Sequence, residues 1–302
     1  MRAPCPRANV PRMRLFLLTA LTMIAFAANS VLNRMAVGTA GLDPAFVAVL
    51  RLGAGAAVLL LLSLALGGVS RLRMRPSLPL IGMATLFLYV FGFSIASGLI
   101  DAGTGALTLF GAVQITMFAG ALVQGERITR WRWIGAVMAF SGLVVLMAPL
   151  TDPAAGAGGV PLSGAGIALM ALGGVGWGLY SLNGRRAADP LALTALNFLL
   201  ATIPALIWLA LSQSTGQDIE QGARWGIIPA VISGAVTSGL GYALWYHILP
   251  KLPATRAAIA QLSVPLLAAA GGAFLLREVP DPRFWIASAL VLGGIGLSLR
   301  KA

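Results

Sequence analysis

The sequence GERITRWRWIG, residues 125–135, places one acid and three arginines between two long apolar segments. A similar sequence, REVPDPRFWIA, occurs at residues 277–287, and Glu278 stands 152 positions after Glu126. The Trp-Ile pair that follows each glutamate keeps the same offset. A match held at a fixed offset into the next apolar segment indicates that the chain contains one unit twice.

The composition is that of a membrane protein. Of 302 residues, 58% are hydrophobic and 10% are charged, whereas a soluble domain is usually under half apolar and about a quarter charged. A net charge of +12 would suit a nucleic-acid-binding protein. Here, however, the basic residues form short groups between apolar segments, as in the loops of membrane proteins. We therefore expect a lipid bilayer as partner and no nucleic acid.

Enzyme and metal chemistry are disfavoured by the same composition. Cys5 is the single cysteine and His247 the single histidine, so neither residue type can form a metal cluster of its own. A hydrolase would need a base and a nucleophile within reach, and no G-x-S-x-G motif accompanies His247. We therefore expect no enzyme activity, no metal and no cofactor. Residues 15–27 imitate a cleavable signal peptide, but the apolar pattern continues to about Asn33, so we interpret them as a first span.

Ten segments are long enough for a helix that crosses the hydrocarbon core, which takes about 20 residues. They cover residues 15–33, 44–66, 78–100, 104–123, 131–149, 163–184, 190–211, 225–247, 254–275 and 282–300. An Asp-Pro pair opens the second, seventh and tenth segments, at Asp43, Asp189 and Asp281. Such a pair places an N-cap acid before a proline at the first helical position. Because a five-span repeat equates the second and seventh spans, their shared start supports the duplication.

The basic residues predict the orientation. With the N-terminus in the cytoplasm, 16 of the 21 lysines and arginines fall in cytoplasmic segments, four in external segments, and Arg51 within the second span. Both termini are then cytoplasmic. Five spans per unit is an odd number, so the second unit is inverted relative to the first. We expect residues 1–150 to form the first five-helix unit and residues 160–302 the second.

Two five-helix halves, each with an acid-bearing turn, a Trp-Ile helix and a later glycine, resemble the drug/metabolite transporter superfamily, EamA type. The resemblance covers nearly the whole chain. In that family the fourth helix of each half commonly carries a proline thirteen residues before the turn glutamate. Pro265 stands thirteen residues before Glu278, whereas Val113 occupies the matching position before Glu126.

The resemblance implies an all-α protein of the inner (plasma) membrane that exports or exchanges small metabolites. The group most like this chain exports aromatic or other neutral amino acids. Efflux of amphipathic drugs, a channel-like facilitator and a purely structural membrane partner are the alternatives.

Transporters built from inverted repeats bind substrate near the bilayer midplane, so polar and aromatic residues within the spans are the candidates. The predicted substrate-binding residues are Asn29, Tyr89, Gln114, Trp177, Tyr242 and Gln261. Tyr89 lies too deep for an interfacial belt, whereas Trp245, Tyr246 and His247 are interpreted as such a belt. Hydrogen bonding between helices is the alternative role for the two glutamines. Close packing is the alternative for Trp177, which sits in the sequence GGVGWG.

The charged residues predict how transport is powered. All nine acids fall in loops or at span ends, which favours facilitated diffusion or exchange over proton coupling. Glu126 and Glu278 are predicted to pair with arginines or a helix N-terminus at the membrane interface, and a direct role in transport is the alternative. Arg51 is predicted to extend toward the membrane surface or to pair with a carbonyl. Contact with a substrate carboxylate is its alternative role.

Overall fold

The computed structural model describes residues 12–67, 77–123, 130–147, 163–184, 189–212, 225–248, 251, 260–261, 263–280 and 282–298. Within these ranges the chain is helical, without β-strands, and we number ten helices in chain order. They are α1 Arg12–Arg34, α2 Pro44–Gly67, α3 Ser77–Leu99, α4 Ala102–Val123, α5 Arg130–Met147, α6 Gly164–Gly184, α7 Pro190–Leu211, α8 Trp225–Ile248, α9 Ser263–Leu276 and α10 Pro282–Ser298.

Seven helices in the described part of the chain are long and apolar enough to cross a membrane: α1 to α4 and α6 to α8. The apolar parts of α5 and α9 are shorter, at Trp133–Gly142 and Ser263–Leu276. The surface of the bundle is also apolar, with exposed side chains such as Leu61, Trp225 and Phe274. A soluble protein rarely exposes so much apolar surface. The prediction of an all-helical, multi-pass membrane protein is therefore confirmed, while ten spans and cytoplasmic termini stay predictions.

Aspartate caps begin α2 and α7, as the sequence predicts. The Oδ1 atom of Asp43 accepts hydrogen bonds from the backbone N–H groups two and three residues further on, at 2.9 and 3.0 Å. The Oδ1 atom of Asp189 accepts one from Ala192 at 3.2 Å. Each bond satisfies a backbone donor that has no partner within its helix. In the third Asp-Pro pair, Pro282 begins α10, and Asp281 lies outside the described residues.

The helices pack in a small number of close pairs. α3 packs against α6 and α7, α2 against α7 and α8, α4 against α6 and α9, α1 against α8 and α9, and α5 against α10. Glycines bring α3 and α6 unusually close: a Cβ atom at Gly176 would lie 2.6 Å from the backbone nitrogen of Tyr89. Small residues at helix contacts allow such an approach. The close contact places Trp177, the next residue in α6, beside Tyr89.

Wide π-helical turns occur at three places in the described chain. They cover Met35–Thr39 after α1, Ser233–Leu240 inside α8 and Gly272–Leu276 at the end of α9. Such turns are rare and often occur at functional sites. The turn in α8 packs against α1 and α2, and the turn in α9 leads through Arg277, which has a left-handed φ of 56°, to the buried Glu278.

Candidate functional site

Five helices enclose a small cavity. α1 contributes Phe26, Asn29 and Ser30, α3 contributes Tyr89 and Phe93, α4 contributes Leu109 and Phe110, α6 contributes Trp177, and α8 contributes Tyr242. Four of the six predicted substrate-binding residues therefore line one space: Asn29, Tyr89, Trp177 and Tyr242. The volume of the cavity is about 20 Å³, which is room for about one water molecule. The site is closed in this conformation.

Aromatic rings close the cavity around Trp177. The centroid of its indole lies 4.7 Å from the ring of Tyr242, 5.1 Å from Tyr89 and 6.2 Å from Phe26. These separations are typical of favourable tilted and edge-to-face aromatic contacts. The four side chains come from four helices, and all are buried. The aromatic wall is therefore a product of helix packing and not of any local motif.

The hydroxyl of Tyr89 is the centre of a buried polar cluster. It accepts hydrogen bonds from Nη2 of Arg51 at 2.6 Å and from Nδ2 of Asn29 at 3.1 Å. The hydroxyl of Tyr242 lies 3.5 Å both from Nη2 of Arg51 and from the oxygen of Tyr89. Nε of Arg51 donates to Oγ of Ser238 at 3.1 Å. Two tyrosines of the cavity wall are thus tied to one guanidinium.

The structure corrects the predicted position and partner of the Arg51 side chain. This side chain neither extends to the membrane surface nor pairs with a carbonyl, because it is buried to 1% exposure and donates to hydroxyl groups. The guanidinium carbon lies 4.9 Å from the ring centroids of both Tyr89 and Phe93. Its Nη1 atom has no hydrogen-bond partner in the part of the chain that the structure describes. An arginine within an apolar span was a visible signal in the sequence, but its tyrosine partners on other helices were not.

Asn29 joins the cluster to the wide turn of α8. Its Oδ1 atom accepts hydrogen bonds from the hydroxyls of Ser233 at 2.6 Å, Thr237 at 3.2 Å and Ser238 at 3.4 Å. Sequence reasoning missed these three hydroxyl residues. The spacing of Ser233 and Thr237 places them on one helix face, and all three lie in the wide turn Ser233–Leu240. Asn29 therefore connects α8 to Tyr89 of α3, in addition to lining the cavity.

The two predicted glutamines lie apart from this cluster. Gln114 is half-buried in α4, one turn beyond Phe110 on the same helix face. Gln261 is half-buried and stands just before α9. Neither side chain lines the cavity, so the closed site does not bring them together with the other four residues. Their roles in substrate binding stay predictions.

A buried ion pair lies beyond one end of the cavity. Nε of Arg34 donates to Oε1 of Glu278 at 2.6 Å, and Nη1 of Arg34 donates to the carbonyl oxygen of Ser97 at 2.8 Å. Oε2 of Glu278 accepts a hydrogen bond from the backbone nitrogen of Ala102, the first residue of α4, at 3.0 Å. The prediction that Glu278 pairs with an arginine or a helix N-terminus is confirmed for both partners. Glu126, its counterpart, lies outside the described residues.

The ion pair and the cavity are neighbours. Ser30 and Phe93 line the cavity and also the narrow space next to Arg34. The pair joins α1, the start of α4 and the segment after α9, and Arg34 also binds the end of α3. The ion pair therefore connects these elements between the cavity and the end of the bundle where α1 and α3 end and α4 begins.

The proposed aromatic belt on α8 is wrong for Trp245. This side chain is buried, with its ring centroid 5.8 Å from that of Phe26 in the wall of the cavity. His247 is exposed, as an interfacial residue would be, and its Nε2 atom lies 2.7 Å from Nζ of Lys251. The C-terminal half of α8 thus packs against the bundle core with one face and exposes the other face.

Comparisons with known proteins agree with this architecture. The sequence pattern of the EamA-like transporter family matches residues 13–148 and again residues 164–300. An uncharacterised protein of Pseudomonas aeruginosa is 46% identical over 295 residues, which cover 96% of each chain. The aromatic amino acid exporter YddG of Ancylobacter novellus is 28% identical over 288 residues, which cover 92% of this chain and 96% of the exporter.

The fold is shared with a solved structure as well. A protein crystal structure with 23% sequence identity superposes with a TM-score of 0.64 and covers 95% of this chain and 98% of the other. At that identity the likeness concerns the fold alone. Because the family pattern covers most of the chain in two copies, the protein belongs to the EamA-like transporter family.

Proposed function

We propose that this membrane transporter exports or exchanges aromatic or other neutral amino acids by alternating access at the cavity between α1, α3, α4, α6 and α8. The observation that carries the proposal is the buried wall of Tyr89, Trp177 and Tyr242 next to a polar cluster. Aromatic faces pack well against a flat apolar side chain, and a few placed polar groups orient its polar end. The relative named as an aromatic amino acid exporter supports the same substrate class.

The closed cavity fits one step of such a cycle. A space of about 20 Å³ is far too small for an amino acid, because sites for small molecules usually measure several hundred Å³. Substrate entry therefore requires the helices to separate and the aromatic side chains around Trp177 to move. Alternating access works in this way, with the two halves of the protein moving about a central site.

The two halves are, in our proposal, inverted five-helix units at residues 1–150 and 160–302, with both termini in the cytoplasm. The family pattern matches twice, once within each unit. The helix packing also agrees with a twofold relation in which each helix exchanges with the one five places later. The contact of α3 with α6 then corresponds to α8 with α1, α4 with α6 to α9 with α1, and α2 with α8 to α7 with α3. The pairs α2 with α7 and α5 with α10 correspond to themselves.

Transport without proton coupling is part of the proposal. Proton-coupled carriers usually hold a titratable group inside the membrane that is free to change its protonation. In the described residues, Asp43, Asp101 and Asp189 accept hydrogen bonds from helix N-termini, and Glu278 is held by Arg34. These acids have structural partners, which supports facilitated diffusion or exchange.

Two observations weigh against the alternative functions. A buried guanidinium next to the cavity repels a cationic compound at close range, which disfavours efflux of cationic drugs. The aromatic side chains that close the cavity disfavour a continuous channel, because they would have to move for each molecule that passes. Binding and release by a closing site predict saturable flux.

Counterflow tests the proposal directly. Proteoliposomes are loaded with unlabelled L-phenylalanine and diluted into labelled L-phenylalanine or L-tryptophan, with an aliphatic amino acid, a sugar and a cationic drug as comparison substrates. We expect transient, saturable accumulation of the labelled aromatic amino acids that unlabelled substrate inside stimulates. Flux of the cationic drug alone would favour the efflux alternative. Flux that rises linearly with concentration, without stimulation from inside, would favour a channel.

A further inference from the structure

We propose that Arg51 binds the carboxylate of the transported molecule. The substrate class is then a small carboxylate, either an anion or a zwitterion, that also carries an apolar group for the aromatic wall. This inference rests on the proposed function, because it concerns the same cavity. Amines and amides of the same shape, which lack the carboxylate, are excluded as good substrates.

The first argument is the uncompensated charge. Arg51 is 1% exposed within α2, and an ionised side chain buried in a membrane-spanning bundle is costly unless it is paired. In the part of the chain that the structure describes, the side-chain ion pair joins Arg34 and Glu278, and no carboxylate lies against Arg51. A carboxylate from the substrate supplies the missing negative charge.

The second argument is an excess of hydrogen-bond donors. Among the described residues, Nη1 of Arg51 has no acceptor, although it carries two N–H groups. The oxygen of Tyr89 already accepts from Nη2 of Arg51 and Nδ2 of Asn29. Both of its acceptor positions are thereby used, and the hydroxyl of Tyr242 lies 3.5 Å from it as a third donor. A carboxylate, which only accepts and can take several hydrogen bonds, matches such a group of donors.

The third argument is the position of the guanidinium. Its carbon lies 4.9 Å from the ring centroids of both Tyr89 and Phe93, and both rings line the cavity. One aromatic layer therefore separates the charge from the closed cavity. When the cavity opens to admit a substrate, a displacement of the Tyr89 ring brings the carboxylate and the guanidinium into direct contact.

The fourth argument compares the two halves of the chain. Arg51 stands seven residues after Pro44, which begins α2, and Asn197 stands seven residues after Pro190, which begins α7. Both side chains are buried, so the same position in the second half is occupied by a neutral amide. The fold therefore does not itself require a charge at this position. A single charge in one half suits a substrate with one charged end.

Aromatic ligands that carry or lack a carboxylate test the inference. Binding to the purified wild-type protein is measured by quenching of its tryptophan fluorescence, since Trp177 lines the cavity and Trp245 contacts Phe26 in its wall. The ligands are L-phenylalanine, 3-phenylpropanoate, L-phenylalaninamide and 2-phenylethylamine. We expect the two carboxylates to bind at least tenfold more tightly than the amide and the amine.

Arg51→Gln supplies the matching change in the protein. Loss of a charge-assisted hydrogen bond should weaken both carboxylates roughly 10- to 100-fold and leave the amide and the amine unchanged or slightly improved. Ser238→Ala is the control, because it removes one acceptor of the guanidinium but retains the charge. Its effect on the carboxylates should be only a few-fold. A uniform loss for all four ligands in Arg51→Gln would mean that Arg51 only positions Tyr89 and Tyr242, and would overturn the inference.

The remaining outcomes separate this inference from the proposed function. Equal binding of L-phenylalanine and its amide to the wild type overturns the inference, while counterflow of L-phenylalanine still supports transport of aromatic amino acids. If Arg51→Gln does not fold, the wild-type ligand pairs decide by themselves. If no aromatic ligand binds, the proposed aromatic class is wrong, and alanine is compared with alaninamide. If alanine and alaninamide then bind equally well, the inference is overturned as well.

Discussion

The ion pair of Arg34 and Glu278 offers the sharpest prediction about alternating access. The two side chains are 8% and 9% exposed, so solvent screens their attraction far less than it would at a surface. Glu278→Gln removes the charge but keeps an oxygen that can accept from the backbone nitrogen of Ala102. Arg34 is left with the carbonyl of Ser97 as its partner.

The size of the effect follows from the burial. Breaking a buried pair by neutralising one partner costs about 3 to 5 kcal/mol. Because the amide retains one hydrogen bond, we expect the lower end of that range, about 3 kcal/mol. If the pair exists only when this end of the bundle is closed, the same free energy shifts the equilibrium toward the open state by roughly 100-fold.

Cysteine labelling measures that shift. In a Cys5→Ser background, Ser30→Cys places a thiol on the cavity side of the ion pair. An impermeant reagent applied to intact cells should label this thiol much faster when Glu278→Gln is also present. Asp43→Asn is the matched control, because it neutralises an acid whose described hydrogen bonds lie within its own helix and asparagine is an equally good N-cap. It should leave the labelling rate unchanged.

A lower melting temperature without faster labelling would refute this reasoning. The pair would then stabilise the bundle equally in every conformation and would not be a gate. The double variant Arg34→Gln with Glu278→Gln adds a check, because a true pair shows a coupling energy in a double-mutant cycle. Additive effects of the two single variants on labelling would show that the side chains act separately.

The other predictions concern the cavity, the driving force and the topology. Tyr89→Ala and Trp177→Ala should each weaken substrate binding by about 1 to 3 kcal/mol, or roughly 5- to 150-fold; unchanged counterflow affinity in both variants would place the binding site elsewhere. Flux should proceed down a substrate gradient without an imposed pH gradient and persist in His247→Ala; an absolute need for a proton gradient would contradict the facilitator. A cysteine in the loop at residues 151–162 should react with an impermeant external reagent, and protection of that cysteine in intact cells would contradict the proposed orientation.

Several features could be predicted because they depend on local physics. Helix length and apolar character identify most of the spans, since a backbone in lipid must satisfy its hydrogen bonds within a helix. The caps at Asp43 and Asp189 follow from the Asp-Pro pairs, because the acid bonds to backbone donors only a few residues away. The proximity of Tyr89 and Trp177 followed from repeat symmetry and their depth in the membrane.

The faces of the helices could not be predicted in the same way. In a membrane the lipid is as apolar as the protein core, so an apolar span shows no clear inward stripe. The sequence suggested Gln114 as readily as Asn29, yet Asn29 lines the cavity and Gln114 lies one turn beyond it on α4. The same lack of an inward stripe explains why the prediction placed Trp245 at the membrane surface, whereas in the structure it packs against Phe26.

The sequence by itself determined the class of protein and the positions of the seven clear spans, because composition and helix length are properties of the linear chain. Only the tertiary structure decided which distant residues meet. Asn29 donates to Tyr89, 60 residues away, Arg51 lies within reach of Tyr242, 191 residues away, and Arg34 pairs with Glu278, 244 residues away. Such contacts depend on how each helix is rotated about its axis, and in this bundle that rotation is set by close packing at small residues and by a few buried hydrogen bonds.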